Sequence, residues 1–276
     1  MADKRCGCTG IRCCLLCENR PKEIAAAKPS IQEEIWTYCA ICRKAWSEFD
    51  PEQGMDHCSS HNGKYIEFNG ITIIKDFVSL PEECCIITEI DKMPWKSSQS
   101  GRRKQDFGPK VNFKKQKLKT GTFSGLPPLS ESIVPRMNAV EPLKSFHPVE
   151  QCHLEYVPER GSAIDPHFDD RWLWGERLVT LNLLSDSFLH FHYTQENDEA
   201  IRPKVRVPMP RRSLIVVSGD ARYRWMHSIP RNAITSRRVA ITYRELSEEF
   251  REGGKRYELG DMVLGIARTY QGQVVE

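Results

Sequence analysis

Between residues 149 and 244 the sequence consists of eight short stretches rich in alternating or β-branched apolar residues. Turn residues such as Pro158, Gly161 and Gly219 separate them. Short strands at this spacing are typical of a double-sheet jelly roll, whose mouth can hold a metal between the sheets. We therefore predict a mainly β fold, a double-stranded β-helix with flanking helices and a cysteine-rich N-terminal extension. The predicted strands are 149–157, 164–169, 177–184, 188–193, 204–209, 213–218, 221–229 and 237–244.

Three side chains in these strands form a pattern typical of a metal site. His167 and Asp169 stand two residues apart, so an extended backbone points both side chains to one face. His227 lies in a later strand. Two histidines and one carboxylate form the facial triad of non-haem iron(II) oxygenases, which leaves coordination positions open for cosubstrate and oxygen. A His-x-Asp pair by itself is weak evidence, because such pairs also arise by chance.

The last predicted strand adds cations to this pattern. Its alternation places Arg238 and Arg244 on one face and apolar residues such as Ile241 on the other. An oxygenase that consumes 2-oxoglutarate needs a fixed cation for the distal carboxylate, and an arginine offers the planar fork that binds a carboxylate with two hydrogen bonds. The arginines therefore strengthen the prediction of an iron(II) and 2-oxoglutarate site.

The order of these residues resembles the AlkB family of iron(II)- and 2-oxoglutarate-dependent dioxygenases. The resemblance covers most of the chain, from the first cysteines to the final helix. It is most specific in four motifs, which are Cys-Gly-Cys at 6–8, Gly-Arg-Arg-Lys-Gln-Asp-Phe-Gly at 101–108, Glu-Arg-Gly-Ser-Ala-Ile-Asp-Pro-His at 159–167 and Trp-Leu-Trp-Gly-Glu-Arg at 172–177.

The resemblance implies a role for each site residue. It implies that His167, Asp169 and His227 hold iron(II) and that Arg238 and Arg244 bind 2-oxoglutarate near its opposite ends. Tyr156 matches a family tyrosine that contacts 2-oxoglutarate, although a core tyrosine with a satisfied hydroxyl explains it nearly as well. Asn182 is a weaker candidate for the same role. The implied reaction is oxidative demethylation, in which an N-methyl group leaves as formaldehyde.

The resemblance leaves more than one substrate open. It implies monomethyl-lysine in a protein, with actin and actomyosin as expected partners, and N6-methyladenine in DNA as the alternative. Base-repairing AlkB proteins carry Asn where Leu154 stands and an acidic base-reading residue where Arg171 stands, so base recognition is in doubt. A second class of hypothesis is a non-enzymatic, zinc-containing scaffold. The intact triad and Arg238 argue against it, because a scaffold has no need for costly polar groups in one cavity.

A basic stretch precedes the predicted strands. Residues 101–119 hold eight Lys or Arg against one Asp, with two phenylalanines among them. AlkB proteins place a substrate-recognition lid in this part of the chain, so we predict a substrate-binding lid, with a solvated loop as the alternative. The candidate substrate residues are Arg102, Arg103, Lys104 and Arg171.

Eleven cysteines favour thiols or metal ligands over disulfides in a reducing compartment. One set, the candidate zinc ligands Cys6, Cys8, Cys14 and Cys17, could close a tetrahedral site or belong to a tail with reactive thiols. A second set follows the pattern Cys-x2-Cys-x15-Cys-x2-His between residues 39 and 61. We predict scattered cysteines there in preference to a second zinc site, and the two sets could also share ligands.

The remaining sequence divides the chain into three segments. We expect a cysteine-rich segment at 1–62, an extension carrying the lid at 63–148, and the catalytic jelly roll with a final helix at 149–276. A net charge of +3 does not demand a nucleic-acid partner, and the sequence shows no membrane span or signal peptide. A cytoplasmic and nuclear location is expected. Within the first two segments we predict a helix-like stretch at 30–36, a short hairpin or paired strands at 65–78, and a helix at 79–93.

Overall fold

The structure is a computed structural model that describes residues 14–15, 32–49, 61–193 and 201–275. These residues form sixteen strands and four α-helices. The helices are α1 (Leu80–Asp91), α2 (Ser130–Asn138), α3 (Gly219–Tyr223) and α4 (Tyr257–Ala267). The strands are β1 (Gln32–Cys39), β2 (Lys44–Glu48), β3 (Asn62–Glu67), β4 (Ile71–Ile74), β5 (Lys96–Ser97), β6 (Arg103–Phe107), β7 (Lys110–Asn112), β8 (Lys117–Lys119), β9 (Pro148–Tyr156), β10 (Ile164–His167), β11 (Trp174–Leu183), β12 (Ser187–Tyr193), β13 (Ile201–Met209), β14 (Leu214–Val217), β15 (Trp225–Ile229) and β16 (Arg238–Leu246).

Two seven-stranded sheets carry the fold. The major sheet has the order β4-β14-β11-β16-β9-β6-β5, and the minor sheet has the order β10-β15-β12-β13-β1-β2-β3. Strands β7 and β8 form a separate hairpin. The neighbours are antiparallel except for the parallel pair β1 and β13. Two facing, mainly antiparallel sheets of this kind form a jelly roll, so the predicted fold class is confirmed. None of the helices in the described ranges has both the length and the apolar character needed to cross a membrane.

Strand alternation divides the core into two layers. Leu178 and Ala240 belong to the cluster between the two sheets, where they meet Phe191 and Val205 of the minor sheet. The next residues along β11 and β16 point to the other side of the major sheet and pack against the helices. The helices therefore cover the outer face of the major sheet, and the space between the sheets stays available for a site.

The minor sheet begins earlier in the chain than the sequence indicated. Strand β1 pairs in parallel with β13, so the prediction of a helix-like stretch at 30–36 was wrong. Strand β2 pairs with β1 in an antiparallel register. Trp36 and Tyr38 on β1 are buried against the other sheet. This burial decides the conformation, since local propensity is weak compared with tertiary packing.

The stretch at 65–78 also differs from its prediction. It contains β3 and β4, but these strands lie in different sheets and do not form a hairpin with each other. The chain crosses between the sheets at Gly70, which has a φ of +95°. A Cβ atom there would overlap the carbonyl of Ser218, so only glycine fits this crossing.

Helix α1 begins where the sequence predicts. Ser79 is the N-cap, and its side chain accepts a hydrogen bond from the backbone N–H of Glu82 (3.3 Å). The Glu82 carboxylate accepts the reciprocal bond from the Ser79 N–H (2.7 Å), which completes a capping box. The residues before β15 were expected to be strand, and they form the short helix α3.

All three sequence segments contribute strands to the two sheets. Strands β1 and β2 come from residues before 62, and β4 and β6 come from residues 63–148. Strands β9 to β16 come from the third segment, apart from the first residue of β9. The boundaries at 62 and 148 therefore do not separate independent sheets in the described part of the chain.

Candidate metal and cosubstrate site

The two histidines of the candidate triad face each other on neighbouring strands. His167 is the last residue of β10, and it stands directly opposite His227 in the antiparallel pairing with β15. Their ring centroids are 4.4 Å apart. The Nδ1–H of His167 donates to the carbonyl of Asp165 (2.9 Å), which leaves Nε2 as the nitrogen available to a metal.

Asp169 completes the cluster from the segment that follows β10. Its Oδ1 lies 3.8 Å from Nε2 of His167. One candidate ligand atom from each of His167, Asp169 and His227 lies within 4.8 Å of the others. The sequence spacing predicted these three residues, and the structure brings them together at one end of the space between the sheets.

The ionisation of the cluster suits a metal. Burial raises the pKa of Asp169, but Arg244 and the two histidines outweigh burial and hold this pKa below its usual range. Burial, assisted by the charge of His167, lowers the pKa of His227 to about 3. At neutral pH the site therefore offers a carboxylate and a neutral imidazole from these two residues, the forms that bind a metal.

Two arginines hold Asp169 in position. Arg244 on β16 donates from Nε to Oδ2 of Asp169 (3.1 Å) and from Nη1 to Glu150 (2.6 Å). The buried Arg222 on α3 donates to the carbonyls of Asp169 (3.0 Å) and Asp170 (2.8 Å). Arg244 therefore acts on the metal carboxylate, and Arg222 fixes the backbone that carries it. Neither Arg222 nor Glu150 was predicted from the sequence.

Arg238 lies in the same cavity, away from Asp169. The side chain is only 1% exposed, and its Nη1 has no hydrogen-bond partner among the described residues. Its Nε donates to Oδ1 of Asn182 (2.6 Å), and its guanidinium lies 4.9 Å from the ring of Tyr156. A buried cation with an unused donor is costly in a closed protein, and it fits the distal carboxylate of 2-oxoglutarate.

Asn182 and Tyr156 have different relations to this arginine. The Nδ2 of Asn182 donates to the backbone carbonyls of Ser185, Met209 and Pro210, so the amide is held behind Arg238. Asn182 therefore positions Arg238 and is not one of the residues that line the cavity. Tyr156 pairs with Arg238 across β9 and β16 and lines the cavity itself.

A cavity of about 80 Å³ connects the two ends of the site. The metal cluster and Arg238 both line it, and its remaining wall is mostly apolar. A dicarboxylate that chelates the metal with one end can therefore reach a buried cation with the other. This donor set and the unused Arg238 donor fit iron(II) and 2-oxoglutarate.

The candidate substrate residues lie in several environments. Arg103 and Lys104 belong to β6 of the major sheet, where they form ion pairs with Glu155 (2.5 Å) and Asp106 (2.5 Å). Arg102 is buried, and its guanidinium lies 5.9 Å from the ring of Tyr156.

Arg171 remains at the surface beside the triad. It donates to the carbonyl of Tyr223 and stacks over Phe168 at 4.6 Å. The exposed cations of the 101–119 stretch lie on the β7–β8 hairpin and its connection. They are Lys110, Lys114, Lys115, Lys117 and Lys119.

Only one of the four candidate zinc ligands at the N-terminus belongs to the described residues. Cys6, Cys8 and Cys17 lie outside the described residues. Cys14 is described, is buried, and lies beside Gly101.

Oxygenases that use iron(II) and 2-oxoglutarate need two features in a jelly roll. These are a facial triad for the metal and a buried cation for the distal carboxylate of the cosubstrate. The chain is a dioxygenase of this class. The human "Alpha-ketoglutarate-dependent dioxygenase alkB homolog 4" is 45% identical over 298 residues, which cover 99% of this chain and 96% of the human protein. The chain belongs to the AlkB homologue 4 family.

Other relatives agree with this membership. The protein of the same name from Mus musculus is 43% identical over 300 residues, covering 99% of this chain and 97% of its own. A Caenorhabditis elegans protein named "DNA N6-methyl adenine demethylase" is 38% identical over 291 residues, covering 97% of this chain and 98% of its own. No family model matches the chain. The predicted enzyme class is confirmed, and the alternative of a non-enzymatic scaffold receives no support.

Proposed function

We propose that the chain demethylates monomethyl-lysine in a protein such as actin, and so acts on actomyosin. The unused donor of Arg238, in the cavity that ends at His167, Asp169 and His227, carries the assignment of the reaction. When bound, iron(II) and 2-oxoglutarate would allow molecular oxygen to act as the oxidant that an unactivated methyl C–H bond requires.

The residues of the chain have distinct tasks in this proposal. The triad would hold the metal on one side and leave open positions on the other. Arg238 would bind the distal carboxylate of the cosubstrate, with Asn182 fixing its guanidinium. Apolar walls such as Leu189 and Ile215 would exclude water from the cosubstrate.

The surface beside Arg171 supports a cationic methylamine as the substrate. A cavity of about 320 Å³ is lined there by Trp172, Trp174 and Tyr223. Its wall also contains three carboxylates, of Glu176, Glu248 and Glu249, and two guanidinium groups, of Arg171 and Arg251. The aromatic faces and the excess of one carboxylate favour a methylammonium group over a phosphodiester.

DNA containing N6-methyladenine is the second candidate substrate. The name of the Caenorhabditis elegans relative favours it. The exposed lysines of the β7–β8 hairpin, with Phe113 45% exposed among them, could also contact a phosphate backbone and stack on a base. An acidic protein surface would attract the same lysines, so this hairpin serves either substrate.

Product analysis separates these candidates. The purified chain is supplied with iron(II), ascorbate and 2-oxoglutarate, and it is presented in parallel with a monomethyl-lysine actin peptide and an N6-methyladenine oligonucleotide. We expect succinate and formaldehyde in equal amounts from the peptide. Asp169→Ala is the control, since it removes a candidate metal ligand, and it should abolish both products.

The pattern of products decides between the readings. Formaldehyde from the oligonucleotide alone would replace the lysine assignment with the DNA assignment. Succinate without formaldehyde from either substrate would support the cosubstrate site and reject both substrates. No succinate from any mixture would contradict the cosubstrate site.

A further inference from the structure

A second group of potential metal ligands lies in the minor sheet, away from the triad. Cys39, Cys42 and His61 each offer one ligand atom, and these atoms lie within 4.8 Å of one another. The group sits on the β1–β2–β3 edge of the minor sheet, whereas His167 and His227 lie on β10 and β15 at the opposite edge. The group therefore has no part in the iron site.

The two cysteines are brought together by a tight turn. Cys39 ends β1, and the chain reverses before β2 begins at Lys44. The N–H of Arg43 donates to the carbonyl of Cys39 (2.9 Å), and Arg43 adopts a φ of +58°. Burial raises the pKa of the Cys39 thiol, and hydrogen bonds from the backbone N–H groups of Ile41 and Cys42 to its sulfur offset only part of that rise. A bound metal ion would supply the positive charge that deprotonates the thiol.

His61 reaches this turn from the residue before β3. Its Nδ1 lies 3.8 Å from the Cys42 sulfur. Its Nε2 is buried and has no hydrogen-bond partner among the described residues. The imidazole stacks on Trp46 with centroids 4.8 Å apart, and Phe49 packs edge-on against it at 4.6 Å. The surrounding rings therefore fix the imidazole beside the two thiols.

The Cys42 sulfur also accepts a hydrogen bond from a neighbouring side chain. The indole Nε1–H of Trp46 donates to the Cys42 sulfur (3.3 Å). Hydrogen bonds to ligand atoms from a surrounding shell are typical of metal sites, because they orient the ligand and tune its charge. The same tryptophan thus contacts two of the three potential ligands.

The distances and the chemistry of the donors point to one kind of metal. Sulfur and nitrogen ligands about 2.3 Å and 2.0–2.1 Å from a tetrahedral zinc lie about 3.6 Å from each other, close to the observed 3.8 Å. Two thiolates and an imidazole suit zinc, whereas calcium and magnesium require oxygen ligands.

We infer that Cys39, Cys42 and His61 are three ligands of a zinc site that ties the β1–β2 turn to the start of β3. This inference departs from the expectation that these are scattered cysteines, because spacing alone did not show that His61 packs against the turn. Cys58, which belongs to the same sequence pattern, lies outside the described residues. The inference does not depend on the proposed substrate.

Zinc content tests the inference on the full chain. The wild-type chain, the double variant Cys39→Ser/Cys42→Ser and the control Cys84→Ser/Cys85→Ser are purified identically, and zinc per chain is measured by mass spectrometry. Cys84 and Cys85 are exposed on α1 and lie outside the group. We expect the first variant to hold one zinc fewer per chain than the wild type, and the control to be unchanged. Equal zinc in all three proteins would overturn the inference.

A second measurement uses only the wild-type chain, in case the double variant does not fold. The native protein is alkylated with and without prior treatment with a zinc chelator, and each cysteine is followed by peptide mapping. Cys39 and Cys42 should be protected until the chelator is added, whereas Cys84 and Cys85 should react equally in both samples. Protection of Cys39 and Cys42 that is the same with and without chelator would contradict a bound metal.

Discussion

At the scale of single residues, Arg238 combines burial with an unused hydrogen-bond donor. Burial lowers the pKa of its guanidinium, yet an arginine remains charged at neutral pH. A charge held in an apolar cavity is unfavourable for stability unless a partner arrives. The residue is therefore best explained by a bound carboxylate.

Arg238→Lys should weaken binding of 2-oxoglutarate by roughly tenfold or more, since lysine lacks the planar fork that binds both carboxylate oxygens. The measurement is calorimetric titration of 2-oxoglutarate into the manganese(II)-loaded chain. Arg237→Lys is the matched control, because the neighbouring Arg237 pairs with Asp91 (2.6 Å) outside the cavity. Equal affinity of both variants would reject the assigned role of Arg238.

His153 is a buried histidine outside the metal site. Its Nδ1 lies 2.8 Å from the amide oxygen of Gln105, and its Nε2 lies 2.8 Å from the amide nitrogen of Gln151. Gln105 continues the chain of contacts to the carbonyls of Ile90 and Met93 at the end of α1. The imidazole therefore connects the major sheet to a helix through a fully buried polar network.

The same residue predicts a dependence of stability on pH. Burial lowers the pKa of His153 to about 3, whereas a histidine in an unfolded chain has a pKa near 6.5. Between these values the unfolded chain binds a proton that the folded chain does not. The free energy of unfolding should therefore fall as the pH falls through this window, with a contribution from this residue of up to about 1.4 kcal/mol per pH unit.

His153→Gln should reduce that slope, because glutamine does not titrate. Urea unfolding of both proteins at pH 6.5 and pH 4.5 measures the difference. The variant is expected to be less stable at neutral pH, so the comparison uses only the change with pH. Parallel pH profiles would show that His153 does not contribute.

At the scale of elements, the strands of the jelly roll could be predicted because each has its own signal. Alternation and turn residues located β9 to β14 and β16 to within a few residues. The prediction for residues 30–36 was wrong because their strand conformation depends on pairing with β13, which lies far along the chain. The prediction of a strand at residues 221–224 was wrong because a short sequence with aromatic residues does not distinguish a short helix from a strand.

In the candidate site, too, residues with a local sequence signal could be predicted and residues brought together by distant pairing could not. His167 and Asp169 are close in sequence, and the arginine spacing is local to β16, so a pattern could find them. Arg222 acts from a separate helix, and His61 meets Cys42 only after the strands have paired. Nothing in the local sequence of either residue carries that information.

Helix α3 contacts the segment that carries Asp169 through the side chain of Arg222. Arg222→Met keeps much of the side-chain volume but removes the donors to the Asp169 and Asp170 carbonyls. Because the backbone that carries Asp169 loses its tether, we expect manganese(II) affinity to fall by about ten- to a hundredfold. Arg224→Met, at the end of the same helix and about half exposed, should change affinity little. Calorimetric titration of manganese(II) measures both, and unchanged affinity in Arg222→Met would argue against the tether.

At the scale of the whole molecule, Glu155 joins distant parts of the chain. Its carboxylate is buried in β9 and accepts hydrogen bonds from Arg103 (2.5 Å), Arg160 (2.6 Å) and Arg237 (2.9 Å). These arginines come from β6, from the turn before β10 and from the residue that precedes β16. One carboxylate therefore holds three segments in register around the cosubstrate end of the major sheet.

Glu155→Gln should lower the free energy of unfolding by about 2 kcal/mol. Loss of a buried partner is costly, but each arginine is about one-third exposed, so solvent screens part of the effect. Urea unfolding measures the change. Glu89→Gln, which removes an exposed pair with Lys92, should shift stability by less than about 0.5 kcal/mol. Equal effects of the two substitutions would contradict a central role for Glu155.

The parallel pairing of β1 with β13 has a consequence for biosynthesis. Thr37 of β1 lies opposite Arg206 of β13, and the two residues are 169 positions apart in the chain. At a ribosomal rate of about 5–20 residues per second, β1 waits roughly ten to thirty seconds for its partner to be made. During that interval β1 can pair only with β2, and its other edge, with Trp36 and Tyr38 not yet covered by the opposite sheet, is open to pairing with another chain.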